Sequence, residues 1–300
     1  MQLSFGRLSR TEKYEWNLNS LLKSRKLTKM LFIGLTGSIA TGKSTVSSIL
    51  SSPPYSLPII DADVIARKVV EPGTSGYNAI VKHFGSELLV PVSESMPENG
   101  VDGKGRPINR PALGRRVFGD GEEQKKNRGV LNCIVHPAVR IETYKAILWH
   151  YITGHWAVIL DVPLLFESGW DRLSGVVMVV AVRDPEIQMK RLMERDSHLS
   201  AEDAQNRVLS QTDVRLKAKR CEARGKGKGV VVWNDGSRAE LKTSIDSCLR
   251  EIRASSPPWW NWVCLLFPPL GVAAGAWVYW QNIRINQRWK DLELQNKAKL

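Results

Sequence analysis

The chain is poor in cysteine, in acidic residues and in repeated pattern, and each shortage narrows what it can be. Four cysteines (Cys133, Cys221, Cys248, Cys264) stand in 300 residues with no C-x-x-C spacing. That argues against a zinc ribbon and a disulfide framework and fits reduced, intracellular thiols. Thirty Asp and Glu face 43 Lys and Arg, a net charge of +13. Such a balance fits nucleic acid, an acidic membrane surface or polyanionic substrates. No guanine-reading N-K-x-D occurs, and no D-x-x-G follows a strand-like run, so a GTPase switch is excluded. No internal repeat is visible, which sets aside solenoids and propellers.

What is present is G-S-I-A-T-G-K-S at Gly37–Ser44, directly after the apolar run Leu31–Thr36. It has the pattern G-x-x-x-x-G-K-[ST], at a point where a buried strand should turn into a helix. Gly37 and Gly42 let the backbone curl so that successive N–H groups of Ser38, Ile39, Ala40 and Thr41 point at a phosphate. Lys43 brings a point charge to the β- and γ-phosphates, and the Ser44 hydroxyl is placed to hold Mg²⁺. The helix through Lys43, Ser44 and Thr45 aims its positive end at the same anion. A nucleoside triphosphate is the expected ligand.

From Leu31 to about Arg253 short apolar runs alternate with helical periods, as in parallel α/β units. Strands are expected at Leu31–Thr36, Pro58–Asp61, Ala157–Asp161, Val176–Val182 and Val230–Trp233, each apolar on both faces and therefore covered by helices on both sides. Helices are expected at Lys43–Ser52, Gly76–Phe84, Pro111–Phe118, Glu122–His150, Pro185–Arg195, Ser200–Gln211 and Arg238–Arg253, and a loop at Val90–Arg106. The fold class is α/β, a parallel sheet of five strands between helices.

Outside this domain, 30–254, lie three further segments. Residues 1–29 are basic and without period; a dispensable extension is favoured over a mitochondrial presequence, because Glu12 and Glu15 count against the latter. Residues 259–280 run without a charge, with Trp259, Trp260 and Trp262 at one end and Trp277, Tyr279 and Trp280 at the other. As a helix they would span roughly 33 Å, enough for a bilayer core, with aromatic belts. A buried core helix is the competing reading. Pro268-Pro269 should kink or break the segment, leaving a kinked span and a re-entrant hairpin both open. The tail 281–300 is basic and polar, which keeps it in the cytosol by positive-inside bias and favours the hairpin.

The second strand ends in Asp61-Ala62-Asp63. Residues at the carboxyl end of a strand in an open parallel sheet face the ligand crevice. One aspartate can accept a proton from an attacking hydroxyl while the other caps the next helix. In Pro185–Leu199, Arg191 and Arg195 recur on one helical face and can close over a triphosphate.

These residues resemble a known family. I-G-L-T-G-S-I-A-T-G-K-S-T-V, I-D-A-D-V-I-A-R-K-V-V-E-P-G, I-N-R-P-A-L-G-R-R-V-F, I-V-H-P-A-V-R, D-V-P-L-L-F-E-S-G-W, Q-M-K-R-L-M-E-R-D and V-V-W-N-D-G-S occur in order over Leu31–Leu249, and together they are similar to dephospho-CoA kinases. The resemblance implies a phosphate-loop kinase (nucleoside-monophosphate-kinase-like) fold, its five-stranded parallel sheet flanked by a helical acceptor subdomain (about Glu71–His150) and a lid (about Pro185–Gln211). It implies ATP-dependent phosphorylation of the 3′-hydroxyl of dephospho-CoA, the last step of CoA synthesis. It implies Asp63 as general base, Lys43 and Arg195 as catalytic cations, and Thr36 to Thr45 with Arg191 and Asn234 around ATP. Thr36, Asp63, Asn109, Arg110, His136 and Arg140 would meet dephospho-CoA, and Asn234 and Gly236 would approach the adenine. No nucleic-acid partner is implied. The chain departs from the family at Ser38 and Ala40, where glycines are usual; a Cβ there is tolerable with negative φ, or a slightly different loop is required. Arg220–Gly229 also replaces the usual Ala-Asp with a basic, Gly-rich loop. A membrane-tethered scaffold with little turnover is the competing class, against which Lys43, Ser44 and Asp63 stand. A tethered kinase would face the cytosol from the mitochondrial outer membrane or the endoplasmic reticulum, beside other CoA-synthesising enzymes.

Overall fold

The computed structural model describes residues 30–197, 200–210, 212–254 and 268–298. The extension 1–29 and the first part of the apolar segment, 259–267, therefore lie outside the described residues. The strands are β1 (Leu31–Gly37), β2 (Ile59–Asp61), β3 (Ala157–Asp161), β4 (Val176–Ala181) and β5 (Gly229–Trp233). They form one parallel sheet of order β2-β3-β1-β4-β5, as expected from the sequence. The phosphate-loop strand is central, so everything that follows β1 opens at the middle of the carboxyl edge.

The helices are α1 (Lys43–Ser51), α2 (Ala62–Lys68), α3 (Ser75–Phe84), α4 (Arg110–Val117), α5 (Glu122–Ile152), α6 (Pro185–Arg195), α7 (Ala201–Leu209), α8 (Val214–Glu222), α9 (Arg238–Ala254) and α10 (Pro268–Lys297). On β4 every side chain is buried, and the two faces separate by alternation. Val176, Met178 and Val180 pack with Val46 and Leu50 of α1 and Leu241, Ile245 and Leu249 of α9. Val177, Val179 and Ala181 pack with Val214, Ala218 and Cys221 of α8 and with Leu165 and Phe166. Burying each aliphatic side chain stabilises by about 1.5–3 kcal/mol, which fixes both helical layers to the sheet. A third, separate core of Tyr77, Ile80, Phe84, Leu88, Ile108 and Val117, with Leu131 and Ile134 of α5 against it, makes the acceptor-side subdomain.

One element differs from the sequence expectation. Helix α8 was not expected, because its basic residues hide an apolar stripe at Val214, Ala218 and Cys221. Helix α5 runs through Pro137, as expected, and leaves His136 exposed in mid-helix. Pro268-Pro269 stand at the start of α10, and proline suits a first turn, where its missing N–H has no intrahelical partner anyway.

The membrane expectation falls only partly within the described residues. The described half of the apolar segment, 268–280, is the first part of α10, and this helix continues into the charged residues Arg284, Arg288 and Lys290. Among the described residues no helix is long and apolar enough to cross a membrane. Nor is the tail a free polar extension. Asn282 donates from Nδ2 to the carbonyls of Arg172 (2.9 Å) and Ser174 (3.0 Å), docking α10 on the turn before β4.

Candidate active site

The phosphate loop is built by β1 feeding α1 through two glycines that cannot be replaced without collision. A Cβ on Gly37 would stand 2.8 Å from the Val180 carbonyl, and one on Gly42, at φ +93°, would stand 2.2 Å from Asn234 Nδ2. Ala40 takes φ +59°, so the expectation of a negative φ at this residue fails; the loop keeps a left-handed bend and bears the Cβ there. Ser38 is not among the positive-φ residues, so its side chain carries no such strain.

The loop is held from several sides. Thr41 Oγ1 donates to the Ser38 carbonyl (2.9 Å), and Ser38 Oγ donates to the Thr212 carbonyl (3.1 Å). Gln188 Nε2, buried on α6, donates to the Ile39 carbonyl (2.7 Å). Asn234 Nδ2 donates to the Thr41 carbonyl (2.9 Å), and Arg191 Nη1 donates in turn to the Asn234 carbonyl (2.7 Å). Sequence reading had found Asn234 and Arg191 but missed Gln188, whose only signal was its place three residues before Arg191 on the same face.

Lys43 points into the crevice, where its Nζ pairs with Asp161 Oδ1. Asp161 was not among the expected site residues, although it opens the segment D-V-P-L-L-F-E. Its position follows from register: Leu35 of β1 and Asp61 of β2 both lie level with it. Burial pushes the Asp161 carboxyl above its ordinary value, the Lys43 charge pulls it back, and the nearby Asp61 adds to the rise. Asp61 accepts at Oδ1 from the N–H groups of Asp63 (2.8 Å) and Val64 (3.1 Å), so it is the helix cap. Asp63, in the first turn of α2, is left exposed toward solvent. Of the two carboxylates, Asp61 is thus the one taken up by capping.

Thr36 Oγ1 donates to the Pro163 carbonyl (2.8 Å), and the buried Lys217 Nζ approaches the same oxygen (3.4 Å) and Glu167 (3.7 Å). Burial lowers the Lys217 pKa and Glu167 opposes this. The segment after β3 is therefore fastened to the loop strand on one side and to α8 on the other.

Other expected residues stand differently. Arg195 donates to Asp196 from Nε and Nη2, both at 3.0 Å, and Arg207 approaches the same carboxylate, so the guanidinium is held at the end of α6. Its hydrogen bond to Asp196 raises its pKa. Asn109 caps α4, its Oδ1 accepting from the Ala112 N–H (3.1 Å). Arg110 follows it at the start of α4, and His136 and Arg140 lie one turn apart on α5, all three exposed. Ser44 and Thr45 occupy the first turn of α1. On the β5 side a cavity of about 360 Å³ is lined by Arg183, Trp233, Asn234, Asp235 and Gly236, and the Arg183 guanidinium lies 4.5 Å from the Trp233 ring centre.

A phosphate cradle, a lysine–carboxylate pair and a separate helical subdomain stand on one crevice. The model of the family "Dephospho-CoA kinase" matches residues 31–240. The chain belongs to the dephospho-CoA kinase family, and it is a kinase of that family. It is 37% identical over 268 residues to the dephospho-CoA kinase CAB5 of Saccharomyces cerevisiae, covering 89% of this chain and 98% of the relative. It is 43% identical over 218 residues to the dephospho-CoA kinase of Bacillus cereus, covering 73% and 95%. Among solved structures it is similar to TT1252 from Thermus thermophilus (TM-score 0.56, 29% identity, 74% of this chain and 98% of that one). It is similar to dephospho-CoA kinase from Campylobacter jejuni as well (TM-score 0.50, 28% identity, 74% and 96%). The bacterial matches leave about a quarter of this dephospho-CoA kinase-family chain uncovered, and α10 lies beyond the family model.

Proposed function

We propose that the protein transfers the γ-phosphoryl group of ATP to the 3′-hydroxyl of dephospho-CoA, giving CoA and ADP. The observation that carries this reading is the Lys43–Asp161 pair at the mouth of a loop already bent for phosphate, with Asp63 exposed on the next strand's helix. The loop N–H groups and Lys43 bind the β- and γ-phosphates, Lys43 exchanging Asp161 for the nucleotide. Asp63 accepts the 3′-hydroxyl proton as the oxygen attacks phosphorus, and the P–O bond to ADP breaks in line. The base of ATP sits in the cavity beside Trp233 and Asn234, and the anionic acceptor meets Arg110, His136 and Arg140. Arg195 joins once lid closure draws it from Asp196.

Mg²⁺ fits this place. The Ser44 hydroxyl and the neighbouring Asp61 and Asp161 are hard oxygen donors, with no sulfur or imidazole among them. Ser44 would hold the ion, which when bound offsets phosphate charge.

ADP release coupled to dephospho-CoA, run beside Asp63→Asn, tests the reading. Dephospho-CoA-dependent ADP release that falls about 10²–10⁴-fold in the variant is expected from loss of a general base. Absence of acceptor-dependent release in the parent protein would overturn it.

A further inference from the structure

The chemistry described so far uses the carboxyl edge of the sheet; the opposite, amino edge carries features that phosphoryl transfer leaves unused. Helix α5 reaches that edge, because only Thr153–Trp156 separate its end from the start of β3. Its last three turns expose Tyr144, Leu148 and Trp149, the indole 63% exposed. Helix α10 docks at the same edge, through Asn282 on Arg172 and Ser174 just before β4. Tyr144 and Trp170 touch at 6.1 Å between ring centres, so both apolar surfaces flank one turn, Trp170–Arg172.

The first half of α10 is exposed in an unusual way. From Pro269 to Trp280 no residue is buried and none is charged, and Val272 is 75% and Trp277 57% exposed. Burial begins at Asn282, and from Arg284 onward the helix is charged. Trp277 stacks on Trp280 (4.9 Å), and the Arg284 guanidinium covers the Trp280 ring at 3.9 Å. The result is an apolar rod ending in an aromatic and cationic collar. Exposed Arg172, Lys226 and Arg253 stand within four residues of a strand start or a helix end, and Arg288 follows one turn after Arg284 on α10, against the exposed acids Glu222, Glu251 and Asp291.

We infer that this edge is a docking face for an anionic lipid bilayer, into which the first half of α10 inserts from one side. Length, chemistry and charge agree on that occupant. At about 1.5 Å per residue the described rod is about 18 Å long, enough to enter one leaflet of a hydrocarbon core of about 30 Å. Trp and Tyr prefer the headgroup level, which is where the collar comes to lie, and cations beside it meet anionic headgroups. A soluble protein partner would not require twelve successive uncharged positions with none of them buried. The docked half of α10 then sets the orientation. With strands of about 17–20 Å between the edges, the phosphate loop opens away from the bilayer.

Flotation of the full chain with vesicles of phosphatidylcholine and phosphatidylserine, roughly two to one, tests this. The protein should float with these vesicles and much less with phosphatidylcholine alone, and added salt should weaken the anionic component. Trp277→Ser with Trp280→Ser should reduce the floated fraction about ten-fold, and Leu148→Ser with Trp149→Ser should reduce it by less, both with kinase turnover retained. A parent protein that turns over substrate yet stays with the unfloated fraction on anionic vesicles would overturn the inference. So would equal flotation of the parent and the double tryptophan variant. A mass of two chains by light scattering that falls to one in that variant would also overturn it, and would make the face an interface between copies.

Discussion

Asn286 of the C-terminal helix donates from Nδ2 to Asp171 Oδ2 at 2.7 Å, and the same carboxylate oxygen accepts from Arg224 Nη1 at 3.1 Å. Both charged side chains are essentially without solvent. The ring is closed by Arg224 Nη2 donating to Asn282 Oδ1 (2.7 Å) and by Arg220 Nη2 donating to Asn286 Oδ1 (3.2 Å). Arg220 also lies over the Phe166 ring at 4.5 Å, so the network reaches the segment that follows β3. Asp171→Ala leaves the buried Arg224 without its anion and should cost about 3–5 kcal/mol. Asn286→Ala removes only neutral partners and should cost about 1–3 kcal/mol. Thermal unfolding should show both losses in that order; equal midpoints for parent and Asp171→Ala would refute the assignment.

Lys43→Met should lower kcat about 10²–10³-fold, the scale for losing one preorganised charge donor at a transition state. Asp161→Asn should act differently, because Asp161 holds Lys43 only until phosphate arrives. We expect a smaller kcat loss with a changed KM for ATP, measured by initial rates over both substrates. A kcat loss as deep as that of Lys43→Met would place Asp161 in direct contact with the reacting groups.

Ala40 holds a left-handed bend with a β-carbon, which costs about 1–2 kcal/mol, whereas glycine there gives back about 0.5–1 kcal/mol through the unfolded chain. Ala40→Gly should therefore stabilise by a net few tenths to about 1 kcal/mol, with a midpoint rise of about 1–4 °C and turnover kept. Ala40→Val should lose stability. Calorimetry with and without ATP reads both, and a lowered midpoint in Ala40→Gly would contradict the bend.

Burial pushes the Cys221 thiol up to about 12, while Cys133 is exposed on α5. Iodoacetamide at pH 8 should label Cys133 in the folded protein and leave Cys221 intact until denaturant is added, as peptide mapping will show. The folded thiol pKa lies above the unfolded one. Its contribution to stability is thus complete below the ordinary thiol range and is lost as pH climbs toward 12. Cys221→Ser should flatten the alkaline limb of stability against pH.

The parallel sheet, the loop and the acceptor helices were legible because apolar runs, fixed glycines and helix caps are local signals. Spacing alone named Asp61 and Asp63 as a pair, and the hydrogen bonds to Asp61 mark it as the cap. Asp161 and Gln188 act through strand register and helix facing, which sequence spacing does not display. Helix α8 was hidden because lysines and arginines occupy its exposed positions. The docking of α10 was not legible, because Asn282 and Asn286 look like tail residues until Arg172, Ser174 and Asp171 are brought under them.

Gln188 grips the phosphate loop at Ile39, and Thr212 is gripped by it at Ser38. The chain between Gln188 and Thr212 is thus a strap buckled at both ends to two adjacent residues of the same loop. Reshaping of the loop by a bound phosphate would pull on both ends of the strap together. On the proposed mechanism, arrival of the triphosphate and the drawing of Arg195 away from Asp196 would then be one motion, so that the arginine would report an occupied cradle without needing to touch it first.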